Sequence, residues 1–167
     1  MKSRRLQWGS PLSGCHKERL KQCQTVWGEL TDRGNFRAKV EAIVRNGRGR
    51  GYRLTVHNAL RSIEQQKVLV AKGYSKTMRS MHLPGPDGLA RAADVVDARF
   101  MWGAPKHVWV MIGRLALTQG CDWGGLWGLP LGMRAKFKAF LLDRGRPFDP
   151  NEWRGKVGWD PAHVQAK

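Results

Sequence analysis

Acidic side chains are scarce in this chain: 13 Asp and Glu stand against 30 Lys and Arg, giving a formal charge of +17 at pH 7. A protein so basic attracts polyanions, among them nucleic acid, an anionic membrane face, and a cell wall carrying carboxylates and phosphates. Cysteine is sparser still, and Cys15, Cys23 and Cys121 are odd in number and scattered. That excludes a disulfide framework and reads as reduced thiols. No stretch is long or uncharged enough to span a bilayer as a helix. The opening MKSRRLQWGSPLSG is basic but has no apolar run of signal-peptide length, so the protein is expected to be made and held in the cytoplasm. Internal repeats, heptads and low-complexity segments are missing too.

What is present is the material of one ordinary domain. With 167 residues, 41% hydrophobic residues and eight Trp, the chain can bury a core and is not disordered. A helical period begins at Asn35, with Phe36, Val40, Ile43 and Val44 on one face, Asn35 as its cap and Gly47 as its end. NGRGRGYR, 46–53, is a cationic glycine-rich loop without phosphate-loop spacing, hence a connector. It leads into a strand at 53–57 with Leu54 and Val56 alternating. Ser62 and Gln65 have capping-box spacing for a helix that carries Ile63, Val68, Leu69 and Val70 and stops at Gly73, which puts Arg61 at a strand-to-helix corner.

Further on, 92–96 reads as a short apolar strand, and Pro105 opens a helix with Val108, Trp109, Ile112, Leu115 and Ala116 inside it. CDWGGLWGLP, 121–130, reads as a strand from which Trp123 and Trp127 project on one side, into a substrate groove or into the core. Residues 131–147 form a basic amphipathic pattern that suits packing against the domain better than lying on a membrane. The expected fold is α+β: a small, mostly antiparallel sheet flanked by helices near 35–46, 62–72 and 105–118.

Chemistry concentrates in SMHLPGPDGLARAADVVD, 80–97, and GWDPAHVQ, 158–165. His82, Asp94 and His163 supply two imidazoles and one carboxylate, the ligand set of a catalytic zinc with its fourth position open to water. A carboxylate within an apolar strand, as at Asp94, is costly unless it is paired or binds metal. Asp97, three residues on, faces the other side of the strand and ranks second as a ligand. Asp160, three residues before His163 and held by Pro161, can stand beside such a metal as general base. The absence of H-E-x-x-H argues against the helical zinc-protease plan. Cys15, His16 and Cys23 lack a fourth ligand for structural zinc and read as surface or packing residues, as do His57 and His107.

R-S-x-x-Q-Q at 61–66, S-x-H at 80–82, A-x-D at 92–94, W-G-G-x-W at 123–127 and D-x-x-H at 160–163, in that order, resemble the zinc D-Ala-D-Ala carboxypeptidase and L-alanyl-D-glutamate endopeptidase family, within it single-domain phage endolysins. The resemblance spans about 54–165. It implies one Zn2+ per chain on His82, Asp94 and His163, with Asp160 as general base in place of the glutamate of many members. Arg61 would steady the substrate carbonyl or carboxylate, and Ser80 would shape the first ligand loop. Trp123 and Trp127 are carried as substrate-binding residues. Relative to the family pattern, about 84–91 and 129–156 look like insertions, and about 1–30 is a basic N-terminal segment of the same catalytic domain.

The implied partner is bacterial peptidoglycan, with anionic membrane or wall polymers also attracted, no specific nucleic acid, and a monomeric enzyme released from the host cytoplasm to lyse the cell. The rivals are a D-alanyl-D-alanine carboxypeptidase and a non-enzymatic, basic nucleic-acid-binding protein.

Overall fold

The computed structural model describes residues 27–167; Cys15, His16 and Cys23, with the rest of the basic segment 1–26, lie outside the described residues. The apolar runs become four short strands: β1 (Leu54–Asn58), β2 (Ala92–Asp97), β3 (Asp122–Trp123) and β4 (His163–Gln165). They form one sheet in the order β1-β2-β4-β3, antiparallel at every pairing. β2 is buried along its whole length, which is why AADVVD shows no polar alternation. The β2–β4 register sets Asp94 opposite His163, and the β1–β2 register sets Asn58 opposite Asp94 after an irregularity between Val56 and Asn58.

Helices α1 (Phe36–Arg48), α2 (Ile63–Ala71), α3 (Lys106–Thr118) and α4 (Leu131–Leu142) flank this sheet, so the fold is the α+β arrangement expected. α3 is the central helix, burying Val108, Trp109, Val110, Met111, Ile112, Leu115 and Ala116, and both α1 and α4 pack on it. The predicted face of α1, Phe36, Val40, Ile43 and Val44, is buried.

Its ends differ from expectation. Asn35 adopts a left-handed conformation at φ 58° and its side chain makes no capping bond. Gly47 lies inside the helix, which runs on to Arg48, and a glycine is needed there because a β-carbon would overlap the side chain of Leu54. In α2 the Ser62–Gln65 capping box forms, but Ile63 and Val68 are half exposed and Gln66 is the one buried residue of the helix. This helix is therefore held by a polar anchor instead of an apolar face.

The segment 121–130 is not one strand. Only Asp122 and Trp123 pair, with β4, and Gly124–Leu126 then turns as a single 3-10 turn. The turn breaks the two-residue alternation, so the two tryptophans part company. Trp123 enters the core against the backbone of Gly113 and Gly125, its indole N–H donating to the Pro161 carbonyl at 2.8 Å. It does not line the pocket described below, which corrects its expected substrate-binding place.

Neither of the two segments read as insertions covers that pocket. Around 129–156, α4 buries Phe137 and Leu141, and Phe137 stacks on Trp153 with ring centroids 4.0 Å apart. The segment is thus a second layer of core behind α3. The 84–91 excursion is latched to residues 29–31: the Thr31 N–H donates to the Ala90 carbonyl at 3.0 Å, the Ala90 N–H to the Glu29 carbonyl at 2.8 Å, and the Thr31 hydroxyl bonds Asp87. Among the described cysteines, Cys121 is a free, buried thiol, pushed up to about 11 by burial.

Candidate metal centre

Three segments converge at the sheet. The loop 73–82 delivers Ser80 and His82, β2 delivers Asp94, and the tail 158–163 delivers Asp160 and His163. Gly124 makes the last approach feasible: a β-carbon there would overlap the Asp160 carbonyl oxygen and lie 3.1 Å from the His163 β-carbon. His82, Asp94 and His163 are all buried, and their donor atoms form one cluster able to hold a metal ion.

His82 Nδ1 lies 2.6 Å from the Ala59 carbonyl oxygen, which can only accept, so the ring proton sits on Nδ1 and Nε2 faces the cluster with its lone pair. His163 Nε2 is 3.0 Å from the Gln165 side-chain oxygen and donates to it, leaving Nδ1 as the inward atom. The three inward atoms are His82 Nε2, His163 Nδ1 and Asp94 Oδ1. They stand 3.2 Å (His82 to His163), 3.2 Å (His82 to Asp94) and 3.7 Å (His163 to Asp94) apart. Donors held tetrahedrally at about 2.0–2.1 Å from zinc lie roughly 3.3–3.4 Å from one another, so the triangle has the right size. Two imidazole nitrogens this close, beside a carboxylate, need a positive centre between them, either a proton or a metal ion. The donor set fits zinc.

The electrostatics agree. Burial alone would raise the Asp94 carboxyl, but hydrogen bonds and charge from His163 and His82 outweigh it and hold the group far below the usual carboxylate range. Burial works against the charged form of His163, yet the Asp94 carboxylate, with Asp160 and Gln165 behind it, raises this imidazole above its ordinary value. Burial also raises the Asp160 carboxyl, with the Asp94 charge adding to it against the pull of His163. Its Oδ2 is 3.9 Å from His163 Nδ1, beside the cluster but farther out than the three inward donors.

Arg61 enters from the β1–α2 corner with its guanidinium 3.7 Å from Asp94 Oδ2, while its N–H donates to the His82 carbonyl at 2.8 Å. Ser80 Oγ accepts from the His82 N–H at 3.3 Å. Asp97 stays out of the cluster, as its place on β2 requires. It is buried and accepts from the Arg53 and Arg99 N–H groups and the Arg99 guanidinium, which holds its carboxyl at about 2.

The triad opens into a pocket of about 640 Å3. Arg61, Ser80, Asp160 and Trp127 line it, with Trp159 and Trp102 as further aromatic walls. The Trp127 ring lies 4.8 Å from His163 and 5.4 Å from Trp159, centroid to centroid. His57, read as a surface or packing residue, is exposed and lines the pocket, edge-on to Trp102 at 5.7 Å.

Sequence reasoning missed several supporting residues. Gln165 lies two residues from His163 on one strand and so shares its face, a period-two signal that was there to be found. Asn58, whose amide reaches Asp94 Oδ2 at 3.5 Å, follows from a register no sequence displays. Gln66, fully buried, accepts from Arg61 Nη1 at 2.7 Å and donates to Ser75 Oγ at 2.8 Å and the Thr77 carbonyl at 2.6 Å.

No family model matches this chain, and no curated protein does. Among solved structures it is similar to an L-Ala D-Glu endopeptidase of Serratia marcescens, ChiX, at 21% identity and a TM-score of 0.50, over 87% of this chain and 86% of that one. At that identity the likeness is one of fold.

Proposed function

We propose that this chain is a zinc-dependent peptidase that hydrolyses an amide of the peptidoglycan stem peptide, the L-alanyl-D-glutamate bond first among candidates, in the manner of a phage endolysin that lyses its host. The observation that carries the proposal is the inward triangle of His82 Nε2, Asp94 Oδ1 and His163 Nδ1, both imidazoles oriented by a second partner, lining a pocket with Asp160 beside it. The fold shared with an L-Ala D-Glu endopeptidase supports the substrate class. The +17 charge suits an enzyme that must collect on an anionic wall.

When bound, zinc would lower the pKa of a water molecule to about 7 and polarise the scissile carbonyl. The chain's own residues supply the rest. Asp160, raised by burial toward neutrality, accepts the proton of the attacking water and returns it to the leaving amine. Arg61 places fixed positive charge where the carbonyl oxygen becomes anionic, and Gln66 fixes the direction of its guanidinium. Trp127 and Trp159 exclude water from one wall, and Ser80 stiffens the turn that presents His82.

The test is release of soluble fragments from purified peptidoglycan by zinc-loaded protein, chelator-stripped protein and Asp160→Ala, with mass spectrometry of the products. Zinc-dependent release lost in Asp160→Ala, with a new N-terminal D-glutamate, is expected. Release of D-alanine alone would make the enzyme a carboxypeptidase. No release with either form, together with steeply salt-dependent DNA or RNA binding, would replace the proposal with the nucleic-acid reading.

A further inference from the structure

Beyond the triad, the pocket is one-sided in charge. Its acidic lining residues are Asp94 and Asp160, both committed to the metal centre, whereas Arg61, Lys76 and Arg79 bring three cations to the same walls. Arg61 is occupied by Gln66 and Asp94. Lys76 and Arg79 pair with no carboxylate among the described residues. Both sit on the loop 74–80, whose path is fixed: the buried amide of Gln66 holds Ser75 and Thr77, and Thr77 Oγ1 accepts from the Arg79 N–H at 2.9 Å. The Lys76 ammonium rests 4.8 Å from the centroid of the Trp159 ring, reaching from this loop to the C-terminal tail. A cation parked on an aromatic ring is placed without being neutralised, and it keeps its donors for a ligand.

We infer that Lys76 and Arg79 are specificity residues that select peptides bearing a free carboxylate close to the scissile amide. The inference rests on the proposed peptidase reading and names a substrate property that the metal centre does not determine. Stem peptides carry such groups on the α-carbon of D-glutamate and on diaminopimelate. Amidation of those carboxylates removes the charge while leaving the backbone and the scissile bond as they were. A hydrogen-bonded charge pair in a partly enclosed pocket changes affinity by about tenfold or more.

Binding of L-alanyl-γ-D-glutamyl-diaminopimelyl-D-alanine and of its counterpart amidated at the D-glutamate and diaminopimelate carboxyls would be measured by calorimetry. The protein is the zinc-loaded full chain carrying Asp160→Asn, so that neither peptide is consumed. The acidic peptide should bind at least about tenfold more tightly. The ratio should drop below about threefold in Lys76→Met/Arg79→Met, recover in Lys76→Arg/Arg79→Lys, and stay at its starting value in Lys136→Met/Lys138→Met, which changes two exposed lysines of α4. A starting ratio near one, an unchanged ratio in the Lys76/Arg79 variant, an equal loss in the α4 variant, or no binding of either peptide would overturn the inference. Charge-selective binding by a protein whose Asp160 form cleaves neither peptide would instead refute the peptidase reading and leave the selection in place.

Discussion

Gln165→Leu isolates the contribution of a single outer hydrogen bond to the metal centre. Its side-chain oxygen accepts from His163 Nε2 at 3.0 Å, and this bond is what turns Nδ1 toward Asp94 and His82. Leucine has nearly the same volume and no acceptor. The buried Nε2–H is then left unpaired, at about 1–3 kcal/mol, or the ring moves its proton to Nδ1 and loses the inward lone pair. Either way zinc affinity should fall about 10–100-fold, the usual consequence of removing a partner that orients a histidine ligand. Gln165→Glu keeps an acceptor and adds charge that makes the imidazole more basic, so it should bind zinc at least as well as the parent. Competitive titration against a chromophoric chelator measures all three proteins, with thermal unfolding of the metal-free forms as a check on folding. Equal affinity in Gln165→Leu and parent, or equal losses in the Leu and Glu variants, would refute the tautomer argument.

Other consequences are as direct. Because His163 is raised by Asp94, its proton stabilises the metal-free fold at low pH and that contribution fades as pH rises through the raised pKa; zinc must displace the proton. Zinc affinity should therefore rise about tenfold per pH unit up to that pKa, with proton release seen as buffer-dependent calorimetric heats; buffer-independent heats across pH 5.5 to 7.5 would contradict this. Gln66→Leu strips Arg61 Nη1 of its Gln66 partner and takes from the Thr77 carbonyl one of its two donors, the Ser75 hydroxyl remaining, so unfolding free energy should drop by about 1–3 kcal/mol. Misdirected Arg61 should also lower kcat/KM up to about 100-fold while zinc affinity stays, a split that a purely structural role would not give. Phe137→Ala, which empties the stack under Trp153, should cost about 3–5 kcal/mol in denaturant unfolding yet leave zinc content intact; a loss of zinc would mean that 129–156 supports the site directly.

The parts of the fold that could be read in the sequence are those governed by local rules. Hydrophobic period placed α1, α3 and α4, the Ser62–Gln65 spacing placed the start of α2, and the cost of burying a carboxylate marked Asp94 within β2. Where tertiary space decides, local rules fail. Gly47 looked like a helix end, but its place is set by Leu54 pressing on α1. Trp123 and Trp127 looked alike until a single 3-10 turn sent one into the core and the other to the pocket. Ile63 and Val68 suggested an apolar face on α2 that the structure leaves half exposed, because the anchor is the amide of Gln66. At the site, residue type made Asp94 conspicuous within its apolar strand, whereas His82, His163, Asp160 and Arg61 drew their roles from the ordered motifs and the resemblance that they carry. Asn58 and Lys76 depend on strand register and loop path, which spacing along the chain does not reveal.

Zinc content after exhaustive dialysis, measured by elemental analysis on the parent, His82→Ala and His163→Ala, bears most directly on the metal centre. One zinc per chain in the parent and almost none in either variant is the predicted result. Zinc retained at parental level in both variants would place the metal elsewhere, and a parent that holds none after reconstitution would contradict the metal centre itself.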